Sequence, residues 1–331
     1  MSQSQNWYKA DLREFRFLLF EQFHLDELLG EAPFADWGPD EVKMVLDECY
    51  RYATELPGPL NRLGDEKGCR LEDGQVKTIE EFKAVWKAVY EQGWRVLSVP
   101  VDLGGQGAPT TLQGAAEELM AGANPAFAMY PGLTNGAAEL IAHHGTPEQV
   151  AQWAKPMFAG DCGGTMCLSE PQAGSDVGAA TTTASPLGDG VYSIHGTKCW
   201  ISAGDHGSRP TSRTSSSRAS TAPRKLGAAS ASSSSWRSAR RHAERRHRRG
   251  HRAQDGPSTA SATCTLVFGD HDACHGYLKE GRAPGHAPMF TMMNYARIGV
   301  GIPASPSRAF AYLNALLDYA KDRKQGSSVE N

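Results

Sequence analysis

Two short segments constrain this chain more strongly than its composition does. Residues 166–176 read MCLSEPQAGSD, and residues 196–204 read GTKCWISAG. Short hydroxyls, glycines and a tryptophan are the parts that a flat heteroaromatic ligand carrying a pyrophosphate needs. Hydroxyl and N–H groups bind the ring edge, an indole covers a face, and glycine lets the backbone approach the phosphates. A β-hairpin with Gly/Ser turns and a core tryptophan explains any one of these residues, but not both segments in this order.

Together the two segments resemble the flavin-binding signature of the acyl-CoA dehydrogenases. The resemblance implies FAD as the cofactor and gives roles to individual positions. The Ser169 hydroxyl meets the pyrimidine side of the flavin, Trp200 stacks beside the ring, and Ser202 lies near the reactive N5 edge. Ser175 meets the pyrophosphate, and Arg323 lies in a basic turn that reaches the FAD of a neighbouring subunit. The full set of implied cofactor-binding residues is Met166, Leu168, Ser169, Gly174, Ser175, Trp200, Ile201, Ser202 and Arg323.

The same resemblance implies where the substrate and the catalytic base lie. Ser175, Asn294 and Arg297 are the implied substrate-binding residues, although Arg297 equally suits a cap or an ion pair on a helix surface. The base in the family is a Glu late in the C-terminal bundle, which places it beyond the last residue here. A minority of members carry it immediately before the Arg that Arg297 matches, where this chain has Ala296. No catalytic residue is therefore expected in this chain, and Glu170 is expected to belong to the flavin loop.

Composition limits the remaining classes of protein. A length of 331 residues, 40% of them hydrophobic, allows two or three packed domains. No run of about 18 apolar residues occurs, and the first residues resemble no secretion signal, so we expect a cytoplasmic protein without a membrane span. The seven cysteines form no CxxC pair and are expected to be reduced thiols. Cys274 and His275 near His271 have the wrong spacing for zinc, so no metal is expected.

Hydrophobic periodicity predicts a mainly helical region over residues 1–160. Helices are predicted over 11–29 and 39–53, and a capping box at Thr78 and Glu81 predicts another, which Gly93 ends. Thr146 with its following Pro predicts a further helix start. The glycine-rich residues 103–107 resemble part of a dinucleotide loop. Because Thr110 replaces the third glycine and no βαβ unit follows, an ordinary loop is predicted instead.

Short β-type runs begin near residue 165, and the helical period returns after residue 287. Residues 191–196 and 263–268 are predicted strands. With the resemblance, these patterns predict a multi-domain α+β fold. It comprises an N-terminal helical extension (1–35), an N-terminal helical domain (36–162), a middle β-barrel-like domain (163–275) and an incomplete first part of a C-terminal helical bundle (276–331).

Residues 208–262 differ in composition from their surroundings. Ser and Arg are dense there, and Leu226 and Trp236 are the only large apolar residues between 208 and 255. One interpretation is a disordered or nucleic-acid-binding arm. The favoured interpretation is a pair of compensating frame shifts, because residues 214–224 read in a neighbouring frame yield an apolar strand of the family type. Resequencing the locus distinguishes the two, and the frame shift predicts an incomplete β-domain.

These observations predict FAD-dependent α,β-dehydrogenation of an acyl-CoA thioester by descent, with activity impaired by the absent base and bundle. An electron-transfer flavoprotein or similar acceptor and a homo-oligomer are the implied partners. No nucleic-acid partner is expected. Three alternatives stay open: an acyl-CoA oxidase on the same scaffold, an inactive gene fragment, and an Arg/Ser-rich nucleic-acid-binding protein.

Overall fold

The computed structural model describes residues 6–72, 75–188, 190–206, 260–269, 274–277 and 287–320, with short backbone stretches at 224–225, 248–250, 323–324 and 327–328. The chain divides into two compact units. Unit 1 comprises Met1–Leu63, Gln92–Ala128 and Ile298–Asn331, and unit 2 comprises Gly64–Glu91 and Met129–Arg297. The four-part division made from the sequence stays a prediction.

Helices dominate unit 1, and both helices and strands build unit 2. The α-helices are α1 (Leu12–Arg16), α2 (Pro39–Glu55), α3 (Leu60–Lys67), α4 (Phe82–Glu91), α5 (Thr110–Ala123), α6 (Pro125–His144), α7 (Pro147–Gln149), α8 (Lys155–Phe158) and α9 (Ala287–Asn314). Short 3-10 turns cover Leu25–Leu28, Val101–Leu103 and Val177–Ala179, and π-helical turns cover Phe17–Gln22, Val150–Ala154 and Ala315–Ala320. None of the described helices is long and apolar enough to cross a membrane.

The strands form one larger sheet and two small hairpins. They are β1 (Arg70–Glu72), β2 (Gln75–Lys77), β3 (Thr183–Gly188), β4 (Val191–Ser202), β5 (Arg224–Lys225), β6 (Arg248–Gly250), β7 (Thr263–Phe268), β8 (His275–Tyr277), β9 (Arg323–Lys324) and β10 (Ser327–Ser328). The larger sheet is antiparallel in the order β5-β3-β4-β7-β6, and β8 also pairs with β4. The hairpins are β1-β2 and β9-β10.

The core of unit 1 lies between α2 and α5. The α2 residues Val42, Leu46 and Cys49 recur at helical spacing and are fully buried. The Cys49 thiol donates a hydrogen bond to the Ala116 carbonyl of α5 at 3.6 Å. The α2 helix therefore forms where its sequence predicts it and extends two residues further, to Glu55.

The first predicted helix, over 11–29, is wrong in its continuity. The α1 helix gives way to the π-helical turn after Arg16, and His24 adopts a left-handed conformation with φ of 50°. Both features break the period of 3.6 residues on which the prediction depended. Phe23 consequently points outward, with 65% of it exposed, whereas Leu19 and Leu25 are buried.

Two predicted helix starts have different outcomes. The start at Thr146 is confirmed, and it forms a capping box in which the Thr146 hydroxyl accepts the Gln149 N–H and the Gln149 side chain accepts the Thr146 N–H. The helix predicted from Thr78 is present as α4, but it begins later, at Phe82. The Glu81 carboxylate forms an ion pair with Lys67 at 2.8 Å. Residues 103–107 form a loop as predicted.

The two predicted strands are confirmed, and one of them is longer than predicted. The strand β7 has the predicted bounds, and its residues alternate between buried and partly exposed positions. The strand β4 runs on to Ser202 and so includes most of the second motif. The expectation of a barrel-like closure is wrong for the described strands, because β5 and β6 are separate ends of an open order.

A buried hydroxyl in unit 2 holds the start of β7. The Tyr130 hydroxyl donates to the Ala260 carbonyl at 2.5 Å and accepts the Ala262 N–H at 2.8 Å. The Ala203 N–H in turn bonds the Ala262 carbonyl at 2.8 Å. The His206 ring packs on Tyr130, with ring centroids 4.5 Å apart. The chain therefore leaves β4 and enters β7 at adjacent points.

Most of the anomalous segment 208–262 lies outside the described residues. Its described parts are the backbone of β5 and β6 and residues 260–262. The frame-shift hypothesis therefore stays a prediction.

Replacing Tyr130 with Phe tests this arrangement. The variant leaves the Ala262 N–H without its hydroxyl partner, whereas the Ala260 carbonyl keeps the Cys69 thiol, 3.2 Å away, as a donor. One unsatisfied buried group costs about 1–3 kcal/mol. We expect the free energy of unfolding in urea to fall by about that amount. Tyr312→Phe, at an exposed position of α9, is the matched control and should change it little. Equal stabilities of Tyr130→Phe and the unmodified protein would contradict the assignment.

Candidate functional site

The two motif segments lie side by side in unit 2. The Cys199 N–H donates to the Ser169 carbonyl at 3.0 Å, as in a strand pair. At the far end the Thr165 hydroxyl donates to the Ser202 carbonyl at 2.6 Å. The second motif lies in β4, and the first runs along it without forming a regular strand. Residues 165–169 and 199–202, which are distant in sequence, thus lie next to one another along β4.

A buried ion pair joins the same segments. The Lys198 ammonium lies 2.8 Å from Glu170 Oε1, and each side chain is 1% exposed. The Glu170 carboxylate also accepts the backbone N–H of Thr181 at 2.7 Å and that of Thr182 at 3.0 Å. A buried charge needs such partners, because desolvation otherwise penalises it heavily.

These contacts decide the chemical state of Glu170. Burial on its own raises the pKa of the carboxyl, but the hydrogen bond from Lys198 and those from the Thr181 and Thr182 backbone lower it more. The net result is a pKa far below the ordinary value of 4.5. A carboxylate held ionised and fully hydrogen-bonded is a poor proton acceptor. Glu170 therefore acts as a structural anchor and not as a general base.

A β-bulge turns Trp200 toward solvent. The register between β4 and β7 shifts between Lys198 and Ile201, and Trp200 has a left-handed φ of 60°. Such a conformation costs a non-glycine residue about 1–2 kcal/mol. The indole is 66% exposed, so the alternative that places this tryptophan in the core is wrong. Bulges recur next to functional sites, where they redirect a side chain.

The two motifs that include the exposed Trp200 also carry hydroxyl groups and an accessible backbone. Ser169 and Ser202 are both partly exposed, and neither side chain forms a hydrogen bond with another residue of the described chain. Gly174 and Ser175 lie in an exposed turn, and a Cβ added to Gly174 would meet no atom within 4 Å. These groups offer ring-edge donors and an approachable backbone, so the residues present fit a flavin nucleotide.

Of the other predicted site residues, three belong to the two motifs and three lie outside them. Met166 and Leu168 are partly exposed and precede Ser169, while the Ile201 side chain is buried in the core. Asn294 and Arg297 lie exposed on α9, and neither forms a hydrogen bond or ion pair with another described residue. Only the backbone of Arg323 is described, in β9. The roles of all these residues stay predictions.

Sequence reasoning missed Lys198. Its side chain is among the largest fully buried ones, although lysine is rarely buried without a partner. One signal was available: the first motif contains two acidic residues, Glu170 and Asp176, and the second contains a single basic one, Lys198. Pairing the two motifs in space would have offered Lys198 one of these two carboxylates as its partner.

Comparisons with known proteins agree with the motif resemblance. Residues 40–161 match the family described as acyl-CoA dehydrogenase, N-terminal domain. The chain is 32% identical to 3-methylmercaptopropionyl-CoA dehydrogenase of Ruegeria pomeroyi, over 98% of this chain and 55% of that protein. It is 33% identical to the broad-specificity linear acyl-CoA dehydrogenase FadE5 of Mycobacterium tuberculosis, over 97% of this chain and 54% of that protein.

Solved structures show the same fold. The butyryl-CoA dehydrogenase of Megasphaera elsdenii superposes with a TM-score of 0.63 at 20% identity, over 86% of this chain and 70% of that one. The chain thus has the helix-and-sheet fold of flavin-dependent acyl-CoA enzymes. It belongs to the acyl-CoA dehydrogenase family, and it spans about half the length of the curated relatives that it matches.

The Glu170 anchor predicts a defined pH dependence of stability. Since the pKa of Glu170 is lower in the folded state than in the unfolded state, its stabilisation is complete above the ordinary value of 4.5. The stabilisation is lost as the pH falls below that value toward the folded-state pKa. At pH 7 we expect Glu170→Gln to lower the free energy of unfolding by about 3–5 kcal/mol. Urea unfolding from pH 7 to pH 3 should show this difference shrinking, and a difference independent of pH would contradict the prediction.

Proposed function

We propose that this chain binds FAD and contributes to the α,β-dehydrogenation of an acyl-CoA thioester. The observation that carries the proposal is the alignment of the two motif segments, in which the strand that carries Ser202 and the exposed Trp200 indole is bonded to the backbone of Ser169. Neither serine hydroxyl has a partner in the described chain. A flat apolar ring with a hydrogen-bonding edge is the ligand that such a surface suits. When bound, FAD would supply the acceptor for the hydride that leaves the β-carbon of the substrate.

The residues of this chain would bind and orient that cofactor. Trp200 would cover part of the ring and exclude water from it, and the Ser169 and Ser202 hydroxyls would bond its edge. The exposed turn at Gly174 and Ser175 would approach the pyrophosphate through its backbone. Met166, Leu168, Ile201 and Arg323 complete the proposed cofactor site. Ser175, Asn294 and Arg297 form the proposed contacts to the CoA end of the substrate.

The base that removes the α-proton is the part of the reaction that these residues do not supply. Ala296, which precedes Arg297, has no group that accepts a proton. Glu170 is excluded by its depressed pKa and its four partners. A positioned base contributes roughly 10²- to 10⁴-fold to the rate. Neither Ala296 nor Glu170 therefore supplies this base.

The remaining partners follow from the proposed reaction. Electrons would pass from the reduced flavin to an electron-transfer flavoprotein or a similar acceptor, and the functional form would be a homo-oligomer. We place the reaction in the cytoplasm because all seven cysteines are free thiols, as expected in a reducing compartment.

Flavin binding is the direct test of the proposal. The purified protein, equilibrated with excess FAD and passed through a desalting column, should retain a yellow flavin absorbance. Ser169→Ala and Ser202→Ala should each weaken FAD binding by about threefold to tenfold, as expected for one lost hydrogen bond. Ser185→Ala, on β3, is the matched control and should bind normally. A colourless protein would refute the proposal, and bleaching by a panel of acyl-CoA thioesters would extend it to the substrate.

The strained position of Trp200 allows a second test. Both Trp200→Ala and Trp200→Gly remove the indole, and each should weaken FAD binding by about tenfold, the value of one aromatic stacking contact. Only Gly also relieves the left-handed strain, so Trp200→Gly should be more stable than Trp200→Ala by about 1 kcal/mol. Urea unfolding and FAD fluorescence titration measure the two effects. Unchanged FAD affinity in both variants would contradict the role assigned to the indole.

A further inference from the structure

Lys198 belongs to the second motif, yet the proposed function gives it no role. Its ammonium donates to the Leu168 carbonyl at 3.0 Å and to Glu170 Oε1 at 2.8 Å. The next residue, Cys199, donates its N–H to the Ser169 carbonyl at 3.0 Å. Two consecutive residues of β4 thus hold three consecutive residues of the first motif. Ser169, the residue in the middle, carries a hydroxyl without a partner among the described side chains.

A simpler interpretation is that Lys198 only neutralises a buried carboxylate. The distribution of hydrogen bonds argues against that interpretation. The Glu170 carboxylate already accepts the N–H groups of Thr181 and Thr182, together with the Gln172 amide. The Leu168 carbonyl, by contrast, has no second donor within the described chain. Within the described chain, the Lys198 ammonium is therefore the donor that satisfies the Leu168 carbonyl.

Lys198 also stands at the start of the bulge. It pairs with Leu266 of β7 and is the last residue in register before the shift that ends at Ile201. Trp200 lies within this shift, with its indole exposed. Because the Lys198 side chain is bonded to the first motif, it determines where that motif lies relative to Trp200.

We propose that Lys198 is a positioning residue for flavin binding. Through Leu168 and Glu170 it fixes the segment that carries the Ser169 hydroxyl against the strand that carries Trp200 and Ser202. The inference rests on the proposed function for its ligand, but the positioning itself is a property of the protein alone. Lys198 acts through the first motif and makes no contact of its own with the flavin.

A double variant separates positioning from charge neutralisation. Glu170→Gln with Lys198→Met removes both charges together, so neither is left buried and unpaired, and such replacements of a buried pair are often neutral or stabilising. The glutamine introduced in place of Glu170 keeps one acceptor oxygen, for the N–H of either Thr181 or Thr182, and Glu170→Gln alone measures what the loss of the other acceptor contributes. The methionine introduced in place of Lys198 cannot donate to Leu168. Three quantities are measured: the free energy of unfolding, the backbone amide exchange of residues 165–173 without added flavin, and the Kd for FAD.

If Lys198 positions the first motif, the double variant should lose local protection and FAD affinity but keep its free energy of unfolding. In the double variant, amide exchange over 165–173 should accelerate, and the FAD affinity should fall, each by about tenfold to hundredfold, as expected for a lost bond from a charged donor. The unfolding free energy should remain close to that of the unmodified protein. Wild-type exchange and wild-type FAD affinity in a stable double variant would overturn the proposal, because neutralisation would then be the whole role of Lys198.

Two further variants serve as a control and as a fallback. Arg95→Met with Glu117→Gln removes the other well-buried pair of the described chain, in unit 1, and should leave exchange over 165–173 unchanged. Should the Lys198 double variant fail to fold, Glu170→Gln alone decides, since it keeps the ammonium and its bond to Leu168 while its global stability falls. Exchange over 165–173 that accelerates no more than exchange over β7 supports positioning, and an acceleration over 165–173 at least tenfold greater than over β7 overturns it. If the unmodified protein binds no FAD, the proposed function fails, whereas the exchange data still decide whether Lys198 holds the segment.

Discussion

The ion pair between Glu170 and Lys198 is the interaction on which the site depends. Both charges are buried, so neither is tolerated without the other. Each charge also has a backbone partner. The carboxylate accepts backbone N–H groups from residues that follow the first motif, and the ammonium donates to a carbonyl within that motif. An apolar pair of equal volume would hold the two segments together without specifying their register. The charged pair specifies it, because only one alignment satisfies every donor and acceptor.

Stability and function oppose one another at the bulge that follows Lys198. The bulge leaves Trp200 in a left-handed conformation that any glycine would adopt more easily, and it leaves most of a large apolar side chain in water. Neither feature benefits the folded chain alone. Strain of this kind persists where the surrounding structure over-determines it, and it is concentrated at functional sites. The ion pair at Lys198 lies directly before this bulge, at the last residue of β4 that is in register with β7. The anchor and the strained position are therefore two parts of one arrangement.

The sequence predicted those features that depend on local periodicity and failed where burial or backbone geometry decided. The bounds of β7 follow from strict alternation, and α2 follows from an apolar stripe with a following proline. The break at His24 was not predictable, because a left-handed histidine leaves no periodic signal. The motif residues were identified by their types. Their juxtaposition, the exposure of Trp200 and the burial of Lys198 require the pairing of distant segments, which no single stretch encodes.

The described contacts at the ends of the anomalous segment join β4 directly to the start of β7. Ala203 bonds Ala262, and the Tyr130 hydroxyl holds Ala260 and Ala262 from the helical side, so β4 and β7 meet independently of what lies between. The cost of closing a loop rises only with the logarithm of its length. The described contacts that bring β4 to β7 therefore involve residues 203 and 260–262. The ion pair lies outside the anomalous segment, and the Tyr130 contacts reach only its last residues.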